Sequence, residues 1–75
     1  MGVETLGKRI YQLRKAANMT QKELANLLGI SEPAVCKWET DSSMPDIMLL
    51  TPLARALHTD LNTLLFYEEM LSPEK

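Results

Sequence analysis

The chain has 75 residues and a formal net charge of −2, and 45% of its residues are hydrophobic while 24% are charged. This length allows one domain with one modest core and excludes a second core. No apolar run approaches the ~20 residues needed to span a bilayer. Cys36 is the only cysteine, which excludes a disulfide framework and favours a cytoplasmic location.

The charges are unevenly divided along the chain. Residues 1–37 carry six lysines and arginines against three acidic residues, whereas residues 38–75 carry two against seven. A basic half of this kind can meet phosphate groups while the acidic half faces away. Two solvated faces without any partner would give the same counts, so both interpretations stay open at this point.

Two short amphipathic helices open the sequence. Within residues 5–17 the apolar side chains recur at the spacing of one helical stripe: Leu6, Ile10, Leu13 and Ala17. Thr20 and Glu23 have the spacing of a capping box, which starts a second helix. Gly29 ends that helix because glycine adopts the left-handed conformation at little cost. The buried stripe of the second helix is predicted to comprise Leu24, Ala25 and Leu28.

A third helix is predicted in the stretch SEPAVCKWE, residues 31–39. Ser31 is a good N-cap, and Pro33 falls in the first turn, where an amide has no intrahelical acceptor to lose. Glu32 lies favourably at the positive end of the helix dipole. The helical spacing directs two side chains inward, Val35 and Trp38, and four outward, Pro33, Cys36, Lys37 and Thr40.

Two more helices follow a loop with the sequence TDSSMPD. Asp46 is expected to cap the fourth helix, and Pro52 to bend or restart it. Thr59 is expected to cap the fifth. The fourth helix would turn inward Ile47, Leu50, Leu53, Ala54 and Leu57, and the fifth would carry Leu61, Leu64, Leu65 and Phe66. No run of residues alternates as a strand does, so the predicted class is all-α with five short helices.

The second and third helices are separated only by Gly29, Ile30 and Ser31, which is the spacing of a helix-turn-helix. The stretches TQKELANLLGIS, AVCKWE, MPD and LARALHTDLNTLL follow one another as in the Cro and phage-repressor, or XRE, family. The chain resembles that family over roughly residues 5–66. The resemblance implies a compact five-helix bundle with its third helix in the major groove of double-stranded DNA. It also implies homodimers on palindromic operators and a role in transcriptional control, and we expect the regulator to be a repressor.

The resemblance assigns roles to individual residues. The positions that match base-reading residues are Glu32, Pro33, Cys36 and Lys37. The positions that match or adjoin contacts to the DNA backbone are Gln21, Lys22, Ser31, Thr40 and Ser42. Arg14 and Glu39 match a structural ion pair between the first helix and the end of the third. Arg9, in the basic half beside the helix-turn-helix, is expected to contact phosphate as well.

The sequence also departs from the family pattern. Many members carry amide or basic side chains where this chain has Glu32 and Pro33. A glutamate accepts hydrogen bonds only, so among the bases it favours cytosine, and a proline can touch a thymine methyl group. Lys37 matches the chemistry of guanine. Asp41 and His58 stand where glycine is common after a helix, and both residue types tolerate the left-handed conformation.

Other classes of function find little support in the sequence. We find no phosphate-binding loop, no metal-ligand spacing and no nucleophile beside a base, so we expect no enzyme activity, no cofactor and no metal. The main alternative is a protein-interaction module of the same fold with weak or no DNA binding. Glu32, Pro33 and the acidic C-terminal half motivate that alternative.

The end of the sequence is more apolar than a small monomer needs. These apolar residues predict either a cap on the core or a homodimer interface, and we expect the homodimer: Leu64, Phe66, Tyr67, Met70 and Leu71. Residues 67–75 are read as a tail beyond the single domain. The stretch SPEK would also suit the start of a linker to a further domain.

Overall fold

The computed structural model describes residues 5–65 of the chain. Within this range the chain forms five helices and no strand, so the predicted all-α class is confirmed. The helices are α1 (Leu6–Ala16), α2 (Gln21–Leu28), α3 (Glu32–Glu39), α4 (Ile47–Ala56) and α5 (Leu61–Leu65). No helix in these residues is long and apolar enough to cross a membrane. The expectations for Phe66, Tyr67, Met70 and Leu71 fall outside the described residues.

Most helices begin at the predicted caps. Thr20 and Glu23 form both halves of the capping box, and the Ser31 and Asp46 side chains accept from the amides of Ala34 and Met48. The start of α5 differs from the prediction, since the cap is Asp60 rather than Thr59.

Asp60 caps α5 through its carboxylate, which accepts a hydrogen bond of 2.6 Å from the amide of Thr63. The hydrogen bonds from the Thr63 backbone and side chain also lower the pKa of the Asp60 carboxyl. Thr59 lies one residue too early to reach that amide, because α5 begins at Leu61 and Asp60 directly precedes it.

The core lies where all five helices meet. Its buried apolar residues are Ile10, Leu24, Ala25, Val35, Trp38, Leu53, Ala54, Leu57 and Leu64. Helix α2 packs against α3 and α4, α1 packs against α3 and α5, and α4 packs against α5. Val35 and Trp38 are buried as the spacing predicted, so the opposite face of α3 is left for solvent or a ligand.

Helix α4 corrects two expectations. Ile47 was predicted to face inward, but its side chain is 77% exposed. It precedes the fully buried Leu53 by six residues, which places it about 120° around the helix from Leu53. Pro52 was expected to bend or restart the helix, and of these two alternatives the restart is excluded, since α4 runs through this residue. Pro52 and Met48 both lie on the exposed side of α4, so water can replace the lost hydrogen bond.

Among residues 5–65, four adopt the left-handed conformation at the ends of helices. Gly29 has φ = 72°, and the two residues that stand at common glycine positions, Asp41 and His58, have φ = 63° and 59°. Their predicted conformation is therefore confirmed. Asn18, with φ = 62°, joins them after α1 and was not anticipated, although asparagine favours this region.

The side chain of Asp41 ties the end of α3 to the start of α1. Its Oδ1 accepts a hydrogen bond of 3.2 Å from the Gly7 amide, and its Oδ2 accepts one of 2.9 Å from the Thr5 hydroxyl. A glycine at position 41 would remove the strain of the positive φ but would lose both contacts. Asp41 therefore accepts some backbone strain, and its side chain in return links the end of α3 to the start of α1.

Gly7→Ala is expected to lower the free energy of unfolding by about 1–3 kcal/mol, as overpacking does. A Cβ atom at position 7 would collide with the backbone carbonyl oxygen of Trp38 and lie 2.5 Å from Asp41 Oδ1, so the helices would have to separate. Urea titration followed by circular dichroism measures the change. Lys8→Ala, at the exposed neighbouring position, is the control, and an equal midpoint for both variants would refute the close approach of the two helices.

Candidate nucleic-acid interface

The outer face of α3 presents the four side chains that the sequence predicted as base readers. Glu32, Pro33, Cys36 and Lys37 are all exposed. They form two neighbouring rows along the helix, Glu32 with Cys36 and Pro33 with Lys37. The two residues of each row are one helical turn apart, since residues four apart lie on the same face of a helix. Together with Gln21 they line one shallow depression of about 400 Å³, whose exposed surface is mostly apolar.

These side chains are not engaged within the domain. Among residues 5–65, no hydrogen bond or ion pair involves the side chain of Glu32, Cys36 or Lys37. The carboxylate, the thiol and the ammonium group are therefore available to an external ligand. Within the same residues, no group of histidine, cysteine and acidic side chains is arranged to hold a metal ion.

A buried polar network supports this face from behind. Arg14 Nε lies 2.6 Å from Glu39 Oε2, and Arg14 Nη2 donates to Glu39 Oε1 at 3.0 Å, so the predicted pair is present in bidentate form. Arg14 Nη1 also donates to the Met19 carbonyl at 2.8 Å. The side chains of Arg14 and Glu39 are 8% and 5% exposed, and the hydrogen bond to Glu39 raises the pKa of Arg14.

Gln21 belongs to the same network. Its side-chain nitrogen donates a 2.9 Å hydrogen bond to Glu39 Oε1, and the residue is half-buried at the start of α2. The sequence predicted a phosphate contact here and did not predict the bond to Glu39. This bond fixes the orientation of Gln21 relative to the end of α3.

The remaining residues predicted near the DNA backbone are exposed around α3. Lys22 lies in the first turn of α2. The Ser31 hydroxyl is used as the cap of α3. The Thr40 hydroxyl lies 3.0 Å from that of Ser42 and donates to the Cys36 carbonyl at 3.1 Å. These hydroxyls therefore lie at the two ends of α3.

Arg9 does not lie on this surface, and its predicted phosphate contact is wrong. The residue is only 3% exposed. The reason is visible in the sequence, because Arg9 stands between Leu6, Ile10 and Leu13 at helical spacing and so shares their buried stripe. A count of charges along the chain does not show which face of the helix Arg9 occupies.

Known proteins resemble this chain in sequence, and a solved structure shares its arrangement of helices. The sequence pattern of the family described as Helix-turn-helix matches residues 10–64, which is most of the chain. The chain belongs to this helix-turn-helix family. Its fold is that of the Cro and phage-repressor type, as a structural match to a phage repressor shows.

Two curated relatives and one solved structure resemble this helix-turn-helix domain. It is 31% identical over 65 residues to the HTH-type transcriptional activator BcrR of Enterococcus faecalis, covering 87% of this chain and 32% of BcrR. It is 28% identical over 68 residues to the antitoxin PezA of Streptococcus pneumoniae, covering 91% of this chain and 43% of PezA. The chain thus spans about a third of one relative and less than half of the other.

The solved structure is the P22 c2 repressor in complex with the synthetic operator 9T. It superposes with a TM-score of 0.80 at 30% identity, covering 85% of this chain and 97% of the repressor chain. This agreement extends beyond the two helices of the motif, since it covers most of the described bundle.

The helix-turn-helix domain also has a second depression that the sequence did not predict. It adjoins the first, shares Gln21 and Glu32 with it, has a volume of about 400 Å³ and extends past Asn18 to Lys15. The left-handed turn at Asn18 brings the end of α1 beside the start of α2. Asparagine between two predicted helices was the available signal for this turn.

The predicted homodimer interface of the helix-turn-helix domain includes Leu64, and the structure contradicts this part of the prediction. Leu64 is 2% exposed and belongs to the core, so it does not face a second chain. Leu61 and Leu65, by contrast, are each 38% exposed and lie four residues apart on one side of α5. A separate apolar group, Met44, Ile47 and Met48, is exposed where the loop after α3 enters α4.

Proposed function

We propose that this domain binds specific sequences of double-stranded DNA and regulates transcription in the cytoplasm, acting as a repressor. Helix α3 would enter the major groove. The observation that carries the proposal is the free outer face of α3, where Glu32, Pro33, Cys36 and Lys37 stand together without partners inside the described domain. The resemblance to a repressor crystallised with an operator supports the same docking.

Phosphate contacts would come from the surroundings of α3. Lys22 and the positive end of α2 suit a phosphate oxygen on one side of the groove. Thr40 and Ser42 suit the other side, and Ser31 adds a hydroxyl near the front of α3. Gln21, oriented by Glu39, would direct its remaining N–H toward the same strand as Lys22. Arg9 has no place in this set because it is buried.

A protein-interaction module of the same fold is the competing proposal, favoured by the acid at the front of α3. A salt series on duplex DNA separates the two. The affinity of a DNA-binding domain should fall at least about tenfold between about 50 and 200 mM salt, and Lys22→Ala should reduce the logarithmic slope by about one. Absence of binding at the lower salt concentration would favour the interaction module.

Lys37→Ala is expected to weaken binding to the preferred sequence by about 1–3 kcal/mol and to relax the preference at one base position. The reason is that its exposed ammonium group can donate to O6 and N7 of a guanine. Titration of a set of single-base variants measures the effect. Lys22→Ala is the matched control, because losing a phosphate contact weakens all sequences alike, and the same uniform loss for Lys37→Ala would contradict base reading.

We further propose a homodimer on a palindromic operator, formed through the exposed side of α5. The interface would be formed by Leu61 and Leu65 and by four residues outside the described range: Phe66, Tyr67, Met70 and Leu71. Two copies related by a two-fold axis could then place their reading helices about 34 Å apart, one turn of DNA. Leu64 is removed from the expected interface because it fills the core.

Leu65→Asp is expected to abolish cooperative binding to a palindrome while leaving the helical content near that of the unaltered domain. A charge on this exposed apolar side would be buried without a partner in the dimer. Sedimentation with and without DNA measures assembly. Ile47→Asp places the same charge on the other exposed apolar group, so dissociation by Ile47→Asp alone would show that the interface lies there instead.

A further inference from the structure

The front of α3 combines an acceptor with an apolar surface. Glu32 and Pro33 follow the Ser31 cap directly, and Cys36 lies one turn beyond Glu32 in the same row. The Pro33 ring and the Cys36 side chain contribute to the mostly apolar lining of the depression, while the free carboxylate of Glu32 stands beside them. A ligand that fits this arrangement must offer a hydrogen-bond donor next to an apolar group.

Among the four bases, only cytosine can offer in the major groove a hydrogen-bond donor with an apolar group beside it. In the major groove cytosine presents its N4 amino group, and the neighbouring C5 position carries a hydrogen or a methyl group. Thymine has the methyl group, but its O4 is an acceptor and would face the Glu32 carboxylate unfavourably. Adenine has an amino donor, but the group beside it is the N7 acceptor rather than an apolar group.

We propose that Glu32, Pro33 and Cys36 together read a cytosine, and that methylation of this cytosine at C5 strengthens binding. Glu32 accepts from the N4 amino group, and the methyl group enters the apolar surface between Pro33 and Cys36. The inference rests on the proposed DNA-binding function and names the base chemistry that its reading face recognises.

This assignment also gives the acid at the front of α3 a purpose. The phosphates repel a carboxylate in the groove, and a hydrogen bond from the cytosine amino group offsets this repulsion. A charged acceptor binds such a donor more strongly than a neutral side chain does. The exposed Lys15 lines the adjoining depression that Glu32 shares, and it lessens the negative potential there.

The test uses two versions of one random duplex library, one with cytosine and one with 5-methylcytosine throughout. Sites selected from each are compared, and each pyrimidine position of the best site is then occupied in turn by cytosine, 5-methylcytosine, thymine or uracil. At one position 5-methylcytosine should bind about fourfold more tightly than cytosine, the effect of burying one methyl group. It should also bind at least about fivefold more tightly than thymine.

Three variants assign the effect to its residues. Cys36→Ser and Pro33→Ala should bring the ratio between 5-methylcytosine and cytosine toward one, because each removes apolar surface from an exposed position. Glu32→Gln should keep the methyl effect but lose the preference over thymine, since an amide can donate to O4. Lys37→Ala is the control, because it should weaken binding without changing the methylation ratio.

Equal binding of cytosine and 5-methylcytosine at every position of a specifically bound site would overturn this inference and leave the proposed function standing. A methyl effect that survives in both Cys36→Ser and Pro33→Ala would also overturn it. Failure to select any sequence from either library would refute the proposed function itself, and the inference with it.

Discussion

Trp38→Ala is expected to lower the free energy of unfolding by about 3–5 kcal/mol, the usual effect of emptying a large aromatic site in a core. Trp38 is 5% exposed and belongs to the buried cluster in which Val35 and Leu24 lie. A domain of this size has little stability in reserve. We therefore expect Trp38→Ala to be largely unfolded at 37 °C, with its helical circular dichroism signal lost.

The control for this variant lies on the opposite side of the same helix. Cys36→Ala changes an exposed position and should unfold at nearly the temperature of the unaltered domain. If Trp38→Ala keeps its helices and loses only DNA binding, the tryptophan serves the ligand and not the core. That outcome would contradict the burial on which the orientation of α3 depends.

Glu39→Ala is expected to be the second severe change, at about 3–5 kcal/mol, because it leaves the buried guanidinium of Arg14 without its carboxylate. Arg14→Ala should be comparably harmful, since it leaves the Glu39 carboxylate with Gln21 alone. The measurement is urea unfolding of the two single variants and the double variant Arg14→Met with Glu39→Leu.

The double variant is the informative control. Replacing both partners of a buried pair by apolar residues of similar size is often nearly neutral, so it should be far more stable than either single variant. Because it also removes the acceptor of Gln21, it should bind DNA more weakly than the unaltered domain while remaining folded. Single variants that each lower the free energy of unfolding by less than about 1 kcal/mol would show that the pair is solvated and does not support the outer face of α3.

The features that could be predicted from the sequence are local. The capping box of Thr20 and Glu23, the left-handed Gly29 and the start of α3 at Ser31 each depend on hydrogen bonds or φ angles within a few residues. The inward direction of Val35 and Trp38 likewise follows from helical spacing. For these reasons the five helices and the helix-turn-helix could be recognised from the sequence alone.

Apart from the Arg14–Glu39 pair, which the family resemblance implied, contacts between distant parts of the chain were decided only by the tertiary structure. The Gln21 bond to Glu39 and the Asp41 bond to Gly7 join residues that lie far apart in sequence. Neither partner signals the other, because many side chains could accept or donate equally well at those positions.

The remaining differences between prediction and structure depend on which face each helix turns toward its neighbours. Leu64 and Leu65 are adjacent leucines on the same short helix, yet the first is buried and the second partly exposed. Arg9 and Ile47 were placed by charge and by hydrophobicity, but Arg9 is buried and Ile47 is exposed. The sequence by itself determined which residues form helices, since that depends on short-range hydrogen bonding. Only the packing of those helices decided which face of each is covered, because the covered face is defined by its neighbour.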